Sequence, residues 1–199
     1  TSGGVAVGEA DFIREMMARM GEVAFWKLAI KPGRPMAFGR IGNAVLFGLP
    51  GNPVAVMVTY YQFVQDALLA LMGVDPLPPA ERFAARAAFS MRKQPGRVEY
   101  LRGRLQRGAD GVAVALAGAQ GSGVLSSMSE ADCFIVLPED SSAVQEGDTV
   151  FVQPFHGERR PSQARYNGQL HPSTDLVRTN EAFIQTCHDL RSLIAAIIE

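Results

Sequence analysis

The spacing of apolar and polar positions changes several times along this chain, and each change predicts an element. Residues 1–8, TSGGVAVG, are glycine-rich and carry no period. Behind Asp11, which can cap a helix, Phe12, Ile13, Met16, Met17 and Met20 recur at helical spacing until Gly21. The run VAFWKLAI, residues 23–30, predicts a strand ended by the turn KPGRP. MAFGRI and AVLFGL, separated by Gly42-Asn43, predict a strand pair. After Pro50-Gly51-Asn52-Pro53 the period becomes helical again, with Val54, Met57, Val58, Tyr61, Val64, Leu68 and Leu71 on one face of a helix from about Val54 to Met72. Strands alternating with helices predict an α/β domain, and the opening loop is expected to follow a strand that precedes Thr1.

The three prolines of DPLPPAERF, 75–83, mark a boundary. Beyond it come the short strands FAARAAF, RVEYLRGRL, VAVALAG, CFIVL and TVFVQPF, separated by Gly- and Asp-rich turns, which predict a small barrel or curled sheet. From His156 the chain turns polar and proline-containing, as a linker does, and residues 180–199 predict one amphipathic helix.

Composition narrows the classes. With 199 residues, 47% hydrophobic, the chain has the makings of one or two globular domains. Nineteen basic and 20 acidic side chains give a net charge of -1, so nothing draws the chain generally to nucleic acid or an anionic membrane. No apolar run is read as reaching the roughly 20 residues of a membrane span. Cys133 and Cys187 lack metal-ligand spacing and are read as free thiols of a reducing compartment.

Three segments carry candidate chemistry. The first is Ser2-Gly3-Gly4 with Gly8, where glycines let backbone N–H groups approach an anion at a helix start, although an ordinary glycine turn reads the same way. Asp11 beside it either caps the helix or holds Mg²⁺. The second is cationic. Lys27 lies in a strongly apolar run, where an unpaired ammonium would be costly, and Lys31 and Arg34 belong to a loop stiffened by two prolines. The third is the elbow Pro50-Gly51-Asn52-Pro53, with Asn52 as cap and Pro53 as first helical residue, which would present helix-end donors to a ligand or form only a turn. Arg92, Lys93, Arg97, Arg102, Arg104 and Arg107 suggest a basic stripe on the second domain. Ser122, Ser126, Ser127 and Ser129 lack the histidine and aspartate pattern of a hydrolase.

Taken together, TSGGVAVGEADF, FWKLAIKPGRPMAFGR, FGLPGNPVAVMVTYYQF, PGRVEYLRGRLQR, GSGVLSSMSEADCFIVLPED and GDTVFVQPF resemble, in order and over residues 1–155, the motifs of the molybdopterin molybdenumtransferases. This is the MoeA family, shared with the carboxyl-terminal region of gephyrin. The resemblance implies an α/β fold: the later part of a molybdopterin-binding three-layer domain at 1–76, then a small carboxyl-terminal β-barrel domain at 79–155. Residues 156–199, a linker and helical tail, match nothing in it.

The implied reaction inserts molybdate into adenylylated molybdopterin with release of AMP, in molybdenum cofactor biosynthesis. The resemblance assigns Asp11 to Mg²⁺ and pyrophosphate, and Lys27 and Lys31 to the substrate or molybdate. It assigns Ser2, Gly3, Gly4 and Gly8 to the pterin phosphate, and Pro50 and Pro53, with Gly51 and Asn52 between them, to the cleft. Arg34 joins the substrate-binding set. It further implies a cytoplasmic homodimer in the complete protein, contact with a molybdopterin adenylyltransferase, and no nucleic-acid or membrane partner. Ala6 stands where many members have serine. The family's amino-terminal domains and remaining acidic site residues have no counterpart here, so the fragment alone is expected to be inactive. The rival readings are a gephyrin-like scaffold or assembly module and the related adenylyltransferase, which lacks the barrel.

Overall fold

The computed structural model describes Ser2 and residues 19–155 apart from Asp75, Asp110 and Ser122, with backbone only at 24–26. The amino-terminal helix from Asp11, except its end at Arg19 and Met20, and the whole tail from His156 lie outside the described residues. Two compact units divide between Asp75 and Pro76, within the proline-rich stretch.

In the first unit, β1 (Glu22–Lys27), β3 (Pro35–Ile41) and β4 (Ala44–Gly48) form an antiparallel sheet in the order β1-β3-β4. The two-residue link Gly42-Asn43 joins β3 to β4, with Ile41 opposite Ala44 and Gly42 at φ +58°, a conformation glycine adopts without Cβ strain. The strand predicted over 23–30 breaks after Lys27. Leu28 donates its N–H to the carbonyl of Arg34 at 2.7 Å, closing a loop that contains the short β2 (Ile30–Lys31). Where simple strand–helix alternation would make sheet neighbours parallel, these three pair antiparallel; the parallel contact among the described residues of this unit is a single bridge, Ser2 to Leu49.

Helix α1 runs from Pro53 to Leu71, but not uniformly. An α segment, Pro53–Thr59, passes into a π-helical turn, Tyr60–Val64, and returns to α over Gln65–Leu71. A π turn adds a residue per turn and shifts the buried face. Here Val54, Ala55, Val58 and Thr59 are buried before it, and Phe63, Val64 and Ala67 within and after it. At 19 residues, α1 is by length and composition alone long and apolar enough to span a bilayer, a test that the core helix of a soluble protein passes as well. The sequence obscured this because Thr59, Gln62, Gln65 and Asp66 interrupt the run without ending the helix.

The second unit is a closed ring of five strands: β5 (Phe83–Ala87), β7 (Val98–Gly108), β8 (Gly111–Leu116), β9 (Cys133–Leu137) and β11 (Thr149–Pro154). Its order is β7-β8-β5-β11-β9, and β9 pairs back onto β7. Only β5 and β8 run parallel. A small pair, β6 (Met91–Arg92) with β10 (Ala143–Val144), lies outside the ring. Closure removes free sheet edges and encloses Leu101, Val114, Cys133, Ile135, Leu137, Val150 and Val152. Gly103 marks the tightest point. A Cβ there would meet Ile135 Cγ1 at 2.7 Å, Val114 Cγ2 at 2.8 Å and Cys133 Sγ at 2.9 Å.

Candidate functional site

The elbow at 50–53 has the local chemistry its sequence predicts. Asn52 caps α1: its Oδ1 accepts from the N–H groups of Val54 at 3.1 Å and Ala55 at 3.3 Å. Its carbonyl accepts from Val56 at 2.9 Å, and Pro53, with no N–H, takes the first helical position. The usual helix-start donors are therefore taken by the cap itself. What the elbow offers a ligand is the exposed Gly51 backbone and the carboxamide of Asn52, with Pro50 buried beneath.

The cationic loop reaches the same helix. Gly33 is buried at φ +108°, and a Cβ built on it would lie 2.9 Å from Thr59 Cγ2 and 3.5 Å from the carbonyl oxygen of Ala55. Ala55 thus gives its N–H to Asn52 and turns its carbonyl towards Gly33. The elbow and the loop share one peptide-bearing residue of α1. Lys31 and Arg34 flank Gly33 with exposed side chains. Lys27, also exposed, ends β1 opposite Pro35, the residue after Arg34. The exposed position resolves the cost of an ammonium in an apolar run, since Lys27 closes the strand at solvent.

Ser2 is exposed, and its bridge to Leu49 sets it beside the residue that leads from β4 into Pro50. Gly3, Gly4, Gly8 and Asp11 lie outside the described residues. Among the described residues no three His, Cys, Asp or Glu side chains converge as metal ligands.

The basic stripe expected on the second unit is broken. Arg92, Arg104 and Arg107 are exposed, but Arg102 is only 1% exposed and Lys93 only 7%. Both have been drawn inward by carbonyl oxygens: Lys93 Nζ donates to those of Glu139 at 3.0 Å and Ser141 at 3.1 Å.

Arg102 organises more. Its Nη2 donates to the carbonyls of Ala119 and Gly121, both at 3.0 Å, and its Nε to Ser127 Oγ at 3.0 Å. Gln120 pairs with the same strand position, accepting from the Arg102 N–H at 2.8 Å and donating to the Arg102 carbonyl at 3.1 Å. Its amide also donates to the carbonyls of Ala117 and Gly118. Gly118, Ala119 and Gly121 therefore turn their carbonyls towards one buried side chain, Arg102, and one half-buried side chain, Gln120. Burial lowers the guanidinium's proton affinity, because the charge has left water. The sequence reading passed over Ser127 as a bland serine. A signal was present, in an arginine set between Leu101 and Gly103 in the run Val98–Gly103, with a glycine-rich loop downstream.

Comparison with known proteins gives a consistent picture. Residues 1–70 match the family model described as the probable molybdopterin binding domain, and residues 84–155 that of the MoeA C-terminal region, domain IV. The molybdopterin molybdenumtransferase of Haemophilus influenzae is 43% identical over 157 residues, which are 78% of this chain and 39% of that protein. Gephyrin of Dictyostelium discoideum is 36% identical over 89 residues, 37% of this chain and 12% of its own. Among solved structures, the molybdopterin biosynthesis moea protein of Pyrococcus horikosii aligns at TM-score 0.63 and 29% identity, covering 78% of this chain and 36% of that one. The chain thus spans about two fifths of the length of the curated relatives it matches. With these matches in motif order, an α/β unit and a closed five-stranded barrel in sequence, the chain belongs to the MoeA family of molybdopterin molybdenumtransferases, related to the carboxyl-terminal region of gephyrin.

Proposed function

We propose that this chain supplies the anion-receiving part of a molybdopterin molybdenumtransferase, which inserts molybdate into adenylylated molybdopterin and releases AMP. The observation that carries the reading is the seating of the Lys31–Arg34 loop on the helix that the Asn52 elbow starts, through Ala55. Molybdate and the phosphates of the pterin substrate are all anions, so bringing them together costs Coulomb energy that neighbouring cations offset. Lys31 and Arg34 stand on one stiff loop, and Lys27 closes the adjacent strand. Ser2 and the glycines after it are assigned the pterin phosphate, and Pro50 to Pro53 the wall beside it. Asp11 is the residue to which the metal role falls.

The proposed domain limits are 1–76 and 79–155, with 156–199 as linker and tail. The complete protein is proposed to work as a cytoplasmic homodimer that receives its substrate from a molybdopterin adenylyltransferase.

The test is molybdate-dependent AMP release from adenylylated molybdopterin by the complete protein. The reading requires that release to depend on molybdate and to fall strongly in Lys31→Ala. AMP release that ignores molybdate, or an unchanged rate in that variant, sinks it. Residues 1–155 alone should release little.

A further inference from the structure

We propose that Thr59 is a positioning residue for the cationic loop, its methyl group setting where Lys31 and Arg34 stand relative to the Asn52 elbow. This rests on the anion-binding role given to that loop above. Thr59 is fully buried, and its hydroxyl donates to the carbonyls of Ala55 at 2.9 Å and Val56 at 3.0 Å. Those two bonds fix χ1 and with it the direction of Cγ2. Gly33 lies against that methyl, so close that a Cβ on Gly33 would overlap it at 2.9 Å. Ile30, 0% exposed, packs on the same point, with Cδ1 3.3 Å from the same position.

The loop is therefore braced twice. Its neck is closed by the Leu28 N–H on the Arg34 carbonyl at 2.7 Å, and its tip rests on Thr59. Lys31 and Arg34 lie on either side of that tip, so lowering or raising Gly33 moves both cations together. Thr59 is also the last residue of the regular α segment that begins at Pro53, before the π turn at Tyr60–Val64. Six residues at 1.5 Å rise put the two contact points about 9 Å apart along one rigid rod. The helix acts as the spacer between loop and elbow, and Thr59 sets one end of it. A shift of about 1 Å at such a contact is enough to cost up to about a hundredfold in rate.

Two substitutions separate positioning from mere stability. Thr59→Ser keeps the hydroxyl and its carbonyl bonds and deletes the methyl. Thr59→Val keeps methyl bulk and deletes the hydroxyl. In the complete protein, Thr59→Ser should raise the molybdate concentration for half-maximal AMP release at least threefold. In the same variant the Leu28 amide should exchange its hydrogen at least tenfold faster. Thr59→Val should lower the unfolding temperature while leaving both quantities near wild type. Wild-type Leu28 exchange in Thr59→Ser overturns the proposal. Equal acceleration in both variants also overturns it, because the effect would then be general helix destabilisation. If Leu28 exchange separates the variants while wild type shows no molybdate-dependent turnover, the positioning stands and the functional reading falls.

Discussion

Arg102 and Ser127 lie 25 residues apart in sequence, yet the guanidinium Nε donates to the serine hydroxyl at 3.0 Å inside the barrel unit. Ser127 in turn donates to the Val124 carbonyl at 2.6 Å, so one buried strand residue holds both ends of the glycine-rich loop. Ser127→Ala leaves the buried Nε without its acceptor and should cost about 1–3 kcal/mol in urea unfolding. Arg102→Lys should not restore the loop, because an ammonium lacks the fork that reaches Ser127 and the two carbonyls at once. Equal stability of Arg102→Lys and wild type would contradict that account.

Lys27 and Lys31 are exposed. Lys27→Ala and Lys31→Ala in the complete protein should slow molybdate insertion strongly. Saturating molybdate should not restore the rate if the amines stabilise charge that develops during reaction. An unchanged rate at saturating molybdate defeats the assignment.

Asn52 allows its cap and its ligand role to be separated. Asn52→Ala removes the acceptor for Val54 and Ala55 and should destabilise by about 1 kcal/mol. Asn52→Asp keeps the acceptor and adds a negative charge that suits a helix start, so stability should be kept or slightly raised. The same charge should repel an oxyanion at the elbow, raising the half-saturating molybdate concentration. A charge-insensitive molybdate response would move the ligand away from the elbow.

What the sequence made legible was local. The Gly42-Asn43 link, the Asn52 cap and Pro53 at the first helical position follow from the preferences of those residues, whatever surrounds them. The same holds for the strand CFIVL, whose five residues are all buried. What stayed hidden depends on partners distant in sequence. The pairing of Gly103 with Cys133 closes the barrel across 30 residues, and no local pattern announces it. Arg102 reads as one of several surface arginines until closure places it inside. The π turn at Tyr60–Val64 begins just after Thr59, which meets Gly33, and carries the buried Phe63 and Val64. Of the site, the cationic loop and the elbow were readable as segments, but not their meeting through Ala55.

Gly103→Ala tests barrel closure. The added methyl would press on Ile135, Val114 and Cys133, all within 2.9 Å, at the centre of the apolar core. Overpacking of this kind costs about 1–3 kcal/mol. Thermal unfolding of the chain should show the loss, and a neutral result would mean the strands part more easily than their pairing implies.

Cys133 gives a prediction in pH. It is fully buried, and burial first, with Asp132 beside it second, pushes its thiol up to about 12. In the unfolded chain the thiol ionises near its ordinary value of about 8.5. Between those values the unfolded state has lost a proton that the folded state keeps, so stability falls as pH rises. The loss begins near pH 8.5 and for one proton reaches at most about 1.4 kcal/mol per pH unit. Cys133→Ala should flatten that part of the stability–pH curve while lowering stability at neutral pH through the lost packing. The folded wild-type thiol should also resist alkylation at pH 8 until denaturant is added. Rapid labelling of native Cys133 at pH 8 would show that the barrel core opens far more readily than its closed ring of strands allows.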